Sequence, residues 1–313
     1  MKYLLIIFSI YILLQLAETG NGSCKISISK RAGVVSYRCT GMTTLEKLEK
    51  ARTNTTDIEI TDSKLFNVPG HSFARFGATL INLDLHESGI ETIESQAFIG
   101  LTKLEKLILW GNKLKWVSQN WFDNLRNLRT LDLSFNFIQG IDYSVYQMLP
   151  YLENFYFDYN QLRFIDFNMF PYMSSLKKVK FGKNPLNWQY RARLTWQLEN
   201  QHVQYTEEWE DWEWMNVGIK ECIESGQGEL PGDTVLDCLV GKLLDFTYDA
   251  LPNEMRRSVG CNDEASRLVS CMKPTNSTKS SENETIRRIL EDYATILMPM
   301  TKSQALFLSP IKH

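Results

Sequence analysis

The hydrophobic positions of this chain recur every 24 residues. The clearest stretch is Leu128-x-x-Leu131-x-Leu133-x-x-Asn136-x-Ile138. The same pattern stands 24 residues upstream as Leu104-x-x-Leu107-x-Leu109-x-x-Asn112-x-Leu114, and 24 downstream as Leu152-x-x-Phe155-x-Phe157-x-x-Asn160-x-Leu162. A looser copy, Leu80-x-x-Leu83-x-Leu85-x-x-Ser88-x-Ile90, comes before these, and a degenerate one, Ile58-x-Ile60-x-x-Ser63-x-Leu65, before that. A sixth begins at Leu176-x-x-Val179-x-Phe181-x-x-Asn184-x-Leu186 and stops. Each full copy closes on further apolar residues, such as Val117, Phe122 and Leu125, or Ile141, Tyr146 and Leu149. A fixed period of this length predicts a stack of like units. About seven apolar side chains, at roughly 2 kcal/mol each, do not offset the ordering of one repeat, so stacking must supply the rest.

Alternation then says which way each side chain points. The L-x-L core predicts a short strand whose leucines face inward while the residues between face out. The asparagine is placed to bond main-chain groups in the turn, where strand pairing has ended. The outward set runs Asp57, Glu59, Asp62; Asn82, Asp84, His86, Glu87; Lys106, Ile108, Trp110; Thr130, Asp132, Ser134, Phe135; Asn154, Tyr156, Asp158, Tyr159; and Lys178, Lys180, Lys183. It is acidic at the N-terminal end, aromatic in the middle and basic at the C-terminal end. Ile108 and Trp110 are costly if left bare in water. Either they form the centre of a binding surface, with Asp84, His86, Lys106, Asp132, Phe135, Tyr156, Asp158, Tyr159 and Lys180 around them, or neighbours or the chain's own tail cover them.

The flanks predict a compartment. Met1-Lys2 followed by the apolar run Tyr3–Leu14 is too short to span a membrane and reads as a signal peptide, 1–22, cut between Ala17 and Gly22. No later run reaches spanning length, so the expectation is a secreted, extracellular protein with no membrane span. Secretion makes the cysteines disulfide candidates and gives meaning to the glycosylation sequons at Asn54, Asn276 and Asn283, and at Asn21 if it survives cleavage.

Residues 23–54 predict an N-terminal cap, a hairpin closed by Cys24 and Cys39 that covers the open end of the stack. Residues 55–186 hold five full repeats and one partial. Residues 187–215 predict a C-terminal cap, with Leu194, Trp196 and Leu198 on a covering helix. Within it, residues 207–214 read Glu-Glu-Trp-Glu-Asp-Trp-Glu-Trp, either rings covering the last repeat or an exposed docking strip. Residues 216–272 predict a small helical module with two disulfides among Cys222, Cys238, Cys261 and Cys271, in any of three pairings. Residues 273–313 predict a glycosylated linker and an amphipathic helical tail that packs back on the chain or pairs with a partner.

This framework resembles the secreted and ectodomain leucine-rich-repeat proteins. The resemblance implies an α/β leucine-rich-repeat solenoid, with a short parallel β-sheet on its concave face, a Cys-stapled N-cap and a small α-helical, Cys-bearing C-terminal region. Such proteins commonly carry four cysteines in the N-cap, where this chain has two, and end on Asn-Pro-Trp-x-Cys-x-Cys, where this chain has Asn184, Pro185, Leu186, Asn187, Trp188 and Tyr190. The few repeats, two-Cys N-cap and Cys-bearing helical end resemble the leucine-rich immune proteins of insects, which implies protein recognition in innate immunity.

Composition narrows the picture further. The 313 residues carry a formal net charge of −3, so bulk charge makes no case for nucleic acid. The four histidines, at 71, 86, 202 and 313, sit in no metal-ligand spacing, and no nucleophile or phosphate-loop motif occurs. The expectation is a non-enzymatic protein with no metal and no cofactor, binding a protein partner on its concave face, of open oligomeric state. The alternative is an extracellular matrix, salivary or venom glycoprotein that uses the repeats as scaffold.

Overall fold

The computed structural model describes residues 22–29, 33–166, 170, 172–206, 213–225, 238 and 241–242. Residues 1–21 of the expected signal peptide, Cys261, Cys271, Asn276, Asn283 and the tail at 273–313 lie outside the described residues. So do 207–212 of the acidic-aromatic strip.

A parallel sheet carries the repeats. Its strands are β3 (Asp57–Thr61), β5 (Asn82–Asp84), β7 (Lys106–Ile108), β9 (Thr130–Asp132), β11 (Asn154–Tyr156) and β12 (Lys178–Lys180). They lie side by side in chain order. Equal repeat positions face each other: Ile58 with Leu83, Leu83 with Leu107, Leu107 with Leu131, Leu131 with Phe155, and Phe155 with Val179. The register follows from the period, because a slip of one residue would turn every leucine to water. Between these strands the chain returns through short pieces: β4 (Asn67–Val68) pairs with β6 (Thr92–Ile93), and β8 (Trp116–Val117) with β10 (Gly140–Ile141). A helix at Tyr143–Met148 and 3-10 turns at Ala74–Phe76 and Gln119–Trp121 complete the return halves.

The core is a leucine face on the sheet and an aromatic spine on the return side. Phe73, Phe98, Phe122, Tyr146 and Phe170 occupy one repeat position and are all buried. Their rings contact across repeats, Phe73 to Phe98 at 6.0 Å and Tyr146 to Phe170 at 6.1 Å between centroids.

The asparagines do more than close their own turns. The Asn136 side-chain amide donates to Leu133 O at 3.0 Å, within its repeat, and to Leu109 O at 2.9 Å, in the repeat before. Its oxygen accepts the Leu114 amide, again one repeat back, at 3.0 Å. Asn112, Asn160 and Asn184 repeat the arrangement, and Ser88 supplies a reduced form of it, donating to Ile60 O at 2.7 Å. The ladder therefore couples neighbours, as one-dimensional stacking requires.

At the N-terminal end, β1 (Ser23–Ser29) and β2 (Val34–Thr40) form an antiparallel hairpin with Cys24 opposite Cys39, and these two are joined as a disulfide. β2 then pairs in parallel with β3, so the cap continues the sheet and buries Val35, Tyr37 and Met42. At the other end, the sheet gains a strand that the pattern did not predict. β13 (Gln204–Thr206) pairs in parallel with β12.

The described residues fall into two compact units that part after Pro185, with 202–206 returning to the first. In the second, a helix spans Trp188–Asn200, capped by the Asn187 oxygen accepting the Tyr190 amide at 2.9 Å. A further helix, Glu213–Ser225, carries Cys222, which is bonded to Cys238. Among the described residues no helix is long and apolar enough to cross a membrane.

Candidate binding face

Each repeat offers the open face of the sheet two outward strand residues and two more just beyond the strand. The second of those two breaks alternation: Ser134 and Phe135 both point out before Asn136 turns in. The chain manages this with a left-handed residue. Asp62, Glu87, Gly111, Phe135, Tyr159 and Lys183 hold that place in six consecutive repeats, with φ between 46° and 70°. That conformation is costly for a residue with a side chain. Here it carries Phe135 and Tyr159 to the rim of the face.

Four rings from four repeats join there. His86 stacks on Trp110, with centroids 4.7 Å apart and planes 8° from parallel. Trp110 meets Phe135 edge-on at 6.4 Å, and Phe135 stacks on Tyr159 at 4.2 Å. The array is only partly covered, and Phe135 is 50% exposed. Stacked and T-shaped ring pairs at such separations are favourable arrangements of aromatic side chains.

Carboxylates line the array. Asp84 Oδ1 lies 2.7 Å from His86 Nδ1, which fixes that ring. Asp132 accepts the Ser134 amide at 3.0 Å, and the Ser134 hydroxyl donates to Asp158 at 2.6 Å. Burial pushes the Asp132 carboxyl above its ordinary range, Ser134 pulls it down, the Asp158 charge pushes it up and the Lys180 charge pulls it down. Burial also raises the Tyr156 phenol, helped by Asp132 and Asp158. The Lys180 ammonium sits 4.9 Å from the Tyr156 ring centre.

The Asp84–His86 pair has the form of a base held by a carboxylate, but among the described residues no nucleophile is found in contact with it. Ser134 is two strands away, roughly 10 Å at ordinary strand spacing, its hydroxyl already donates to Asp158, and the His86 ring is covered by Trp110. Among the described residues no group of three or more His, Cys, Asp or Glu could hold a metal ion.

The leucine rich repeat family model matches residues 53–114 and again 102–162. Residues 53–162 are leucine-rich repeats. No curated protein matches the chain. Among solved structures it is similar to the TLR13–ssRNA13 complex, at 24% identity and a TM-score of 0.46, over 54% of this chain and 24% of that one. A leucine-rich-repeat protein of Leptospira interrogans follows, at 23% identity and 0.42, over 50% of this chain and 37% of that one. The APL1 leucine-rich repeat domain gives 22% and 0.41, over 43% and 35%. This chain thus spans less than two-fifths of the length of each of these solved chains. In all, 272 solved chains match.

Of the residues expected on this face, Trp110, Phe135, Tyr159 and His86 come together as the ring array, and Asp132, Asp158, Tyr156 and Lys180 form the adjoining polar group. Lys106 is exposed on β7, away from both. Ile108 is a correction. It points outward as alternation demands but is 5% exposed, a floor between Asp84 and Asp132, its aligned neighbours, and not a contact in its own right. Ser134, the link between two carboxylates, was readable only as one outward residue among many. Its signal would have been Asp132 two residues before it in its own repeat and Asp158 at its place in the next.

Proposed function

We propose that this protein is a secreted, non-catalytic recognition protein that binds a protein partner on the concave face of its leucine-rich repeats. The observation that carries the reading is the four-ring array on the sheet's open face. It spans four repeats, leaves Phe135 half exposed and is bordered by Asp84, Asp132 and Asp158. Rigid aromatic anchors ringed by charge are the usual centre of a protein interface. The same carboxylates would repel the phosphates of a nucleic acid. The two disulfides and the exposed Asn54 sequon are compatible with an extracellular setting. A role in innate immunity, implied by the resemblance to insect immune proteins, belongs to the same proposal.

The test is affinity capture from the extracellular fluid of the source organism, comparing the natural protein with Trp110→Ala combined with Phe135→Ala. Loss of two central anchors is expected to weaken retention of the dominant captured protein by about thirtyfold or more. Undiminished capture by a variant with an unchanged near-UV spectrum would remove the concave face from consideration.

A further inference from the structure

Several charges on and beside this sheet are held in ion pairs. Glu59 lies 2.9 Å from the Arg38 guanidinium, and Glu153 is held by Arg129 and Lys177. Asp132 and Asp158 have no ion pair among the described residues: Ser134 bonds to both, and the one cation that acts on the Asp132 charge is Lys180, from outside ion-pair distance. A carboxylate offers about four lone-pair directions, so both keep unused acceptors. Rings stand on either side. Tyr156 is aligned with Asp132 across the β9–β11 pair, and Trp110 and Phe135 meet at the other border. The chain's own Lys180, over Tyr156, shows a cation using this surface. Burial still holds the Asp132 carboxyl above its ordinary range although Ser134 and the Lys180 charge pull it down, so its charge is only partly compensated.

We propose that the face receives an arginine side chain from an extended segment of the partner protein, its guanidinium bridging Asp132 and Asp158 and lying against Trp110 and Phe135. The inference rests on the reading of this face as a protein-binding surface. Arginine fits better than lysine because its planar fork can engage two carboxylates at once, stacks on rings and is weakly hydrated.

Three nine-residue probes test it by titration calorimetry on the whole protein: acetylated, amidated peptides with arginine, lysine or citrulline at alternate positions among serines. Arginine is expected to bind tightest, lysine less tightly, and the uncharged citrulline at least about tenfold more weakly. Asp132→Asn with Asp158→Asn should weaken the arginine peptide by about tenfold or more. Asp123→Asn, on the return half of its repeat, removes the same kind of charge elsewhere and should leave binding unchanged. Equal binding of arginine and citrulline, an equal loss in Asp123→Asn, or no saturable binding of arginine overturns the inference. If that happens while capture still depends on Trp110 and Phe135, only the ligand chemistry is wrong. If capture is also indifferent to those rings, the whole reading of the face falls.

Discussion

Asp132 illustrates how a single residue can be kept at a cost. Burial is the largest influence on its carboxyl and raises it above the ordinary value of 3.8. An acid whose pKa rises on folding binds more protons folded than unfolded between the two values. Stability therefore falls as pH climbs through that window and stays lower above it. Asparagine at this position keeps an oxygen for the Ser134 amide and carries no charge. Asp132→Asn is expected to raise the thermal midpoint at neutral pH, and the gain should vanish in acid below the unfolded value of about 3.9. A midpoint at neutral pH that is unchanged or lower would mean that burial does not dominate at this carboxyl. A gain would match the pattern of residues retained for binding against the interest of the fold. The left-handed Phe135 and Tyr159 are of the same kind, since glycine would hold that turn with less strain, as Gly111 does.

Among the elements, the asparagine turn is the one on which the stack depends. Asn136→Ala removes a donor shared by Leu109 O and Leu133 O and the acceptor of the Leu114 amide, all in buried surroundings. Each buried group left without a partner costs about 1–3 kcal/mol, so a total of about 2–4 kcal/mol is expected, read as a shift of the urea midpoint. Asn136→Ser should lose less, because the hydroxyl at Ser88 still reaches a carbonyl of the repeat before it. Identical losses for alanine and serine would mean that the turn is held by something other than this side chain. These turns were legible in the sequence because one period fixes leucine, asparagine and strand together. β13 was not, because His202-Val203-Gln204-Tyr205-Thr206 alternates for too few residues and carries neither the leucine nor the asparagine of the frame. Alternation also gives the direction of a side chain and not its cover. It placed Ile108 outward correctly and could not show that the aligned Asp84 and Asp132 strands would bury it. The stacking of His86 on Trp110 was hidden for a related reason, since contacts between repeats depend on rotamers that a sequence pattern does not carry.

In the repeat-bearing unit, the links described span one repeat at a time. The asparagine ladder, the aromatic spine and Glu153, which reaches Arg129 on one side and Lys177 at 2.8 Å on the other, all tie a repeat to its immediate neighbour. Stability in such an array is a sum over neighbour contacts, so a strand with two neighbours is held twice. β7 and β9 lie in the middle of the nine-stranded sheet and are paired on both edges. Among the described residues β13 is paired only with β12. β1, among the described residues, is paired only with β2, and six of its seven residues are exposed, Ile26 and Ile28 among them. The Cys24–Cys39 bond ties β1 to β2, and among the described residues no strand pairs with its outer edge. Amide hydrogen exchange should therefore be slowest in β7 and β9, faster toward either end, and fastest in β1 and β13. The central strands are also the ones that carry Trp110, Asp132 and Phe135 at or just beyond their ends, so the most protected backbone would underlie the binding face. Equal protection across all nine strands would show that the sheet opens as one body, and the neighbour-by-neighbour account of its stability would have to be abandoned.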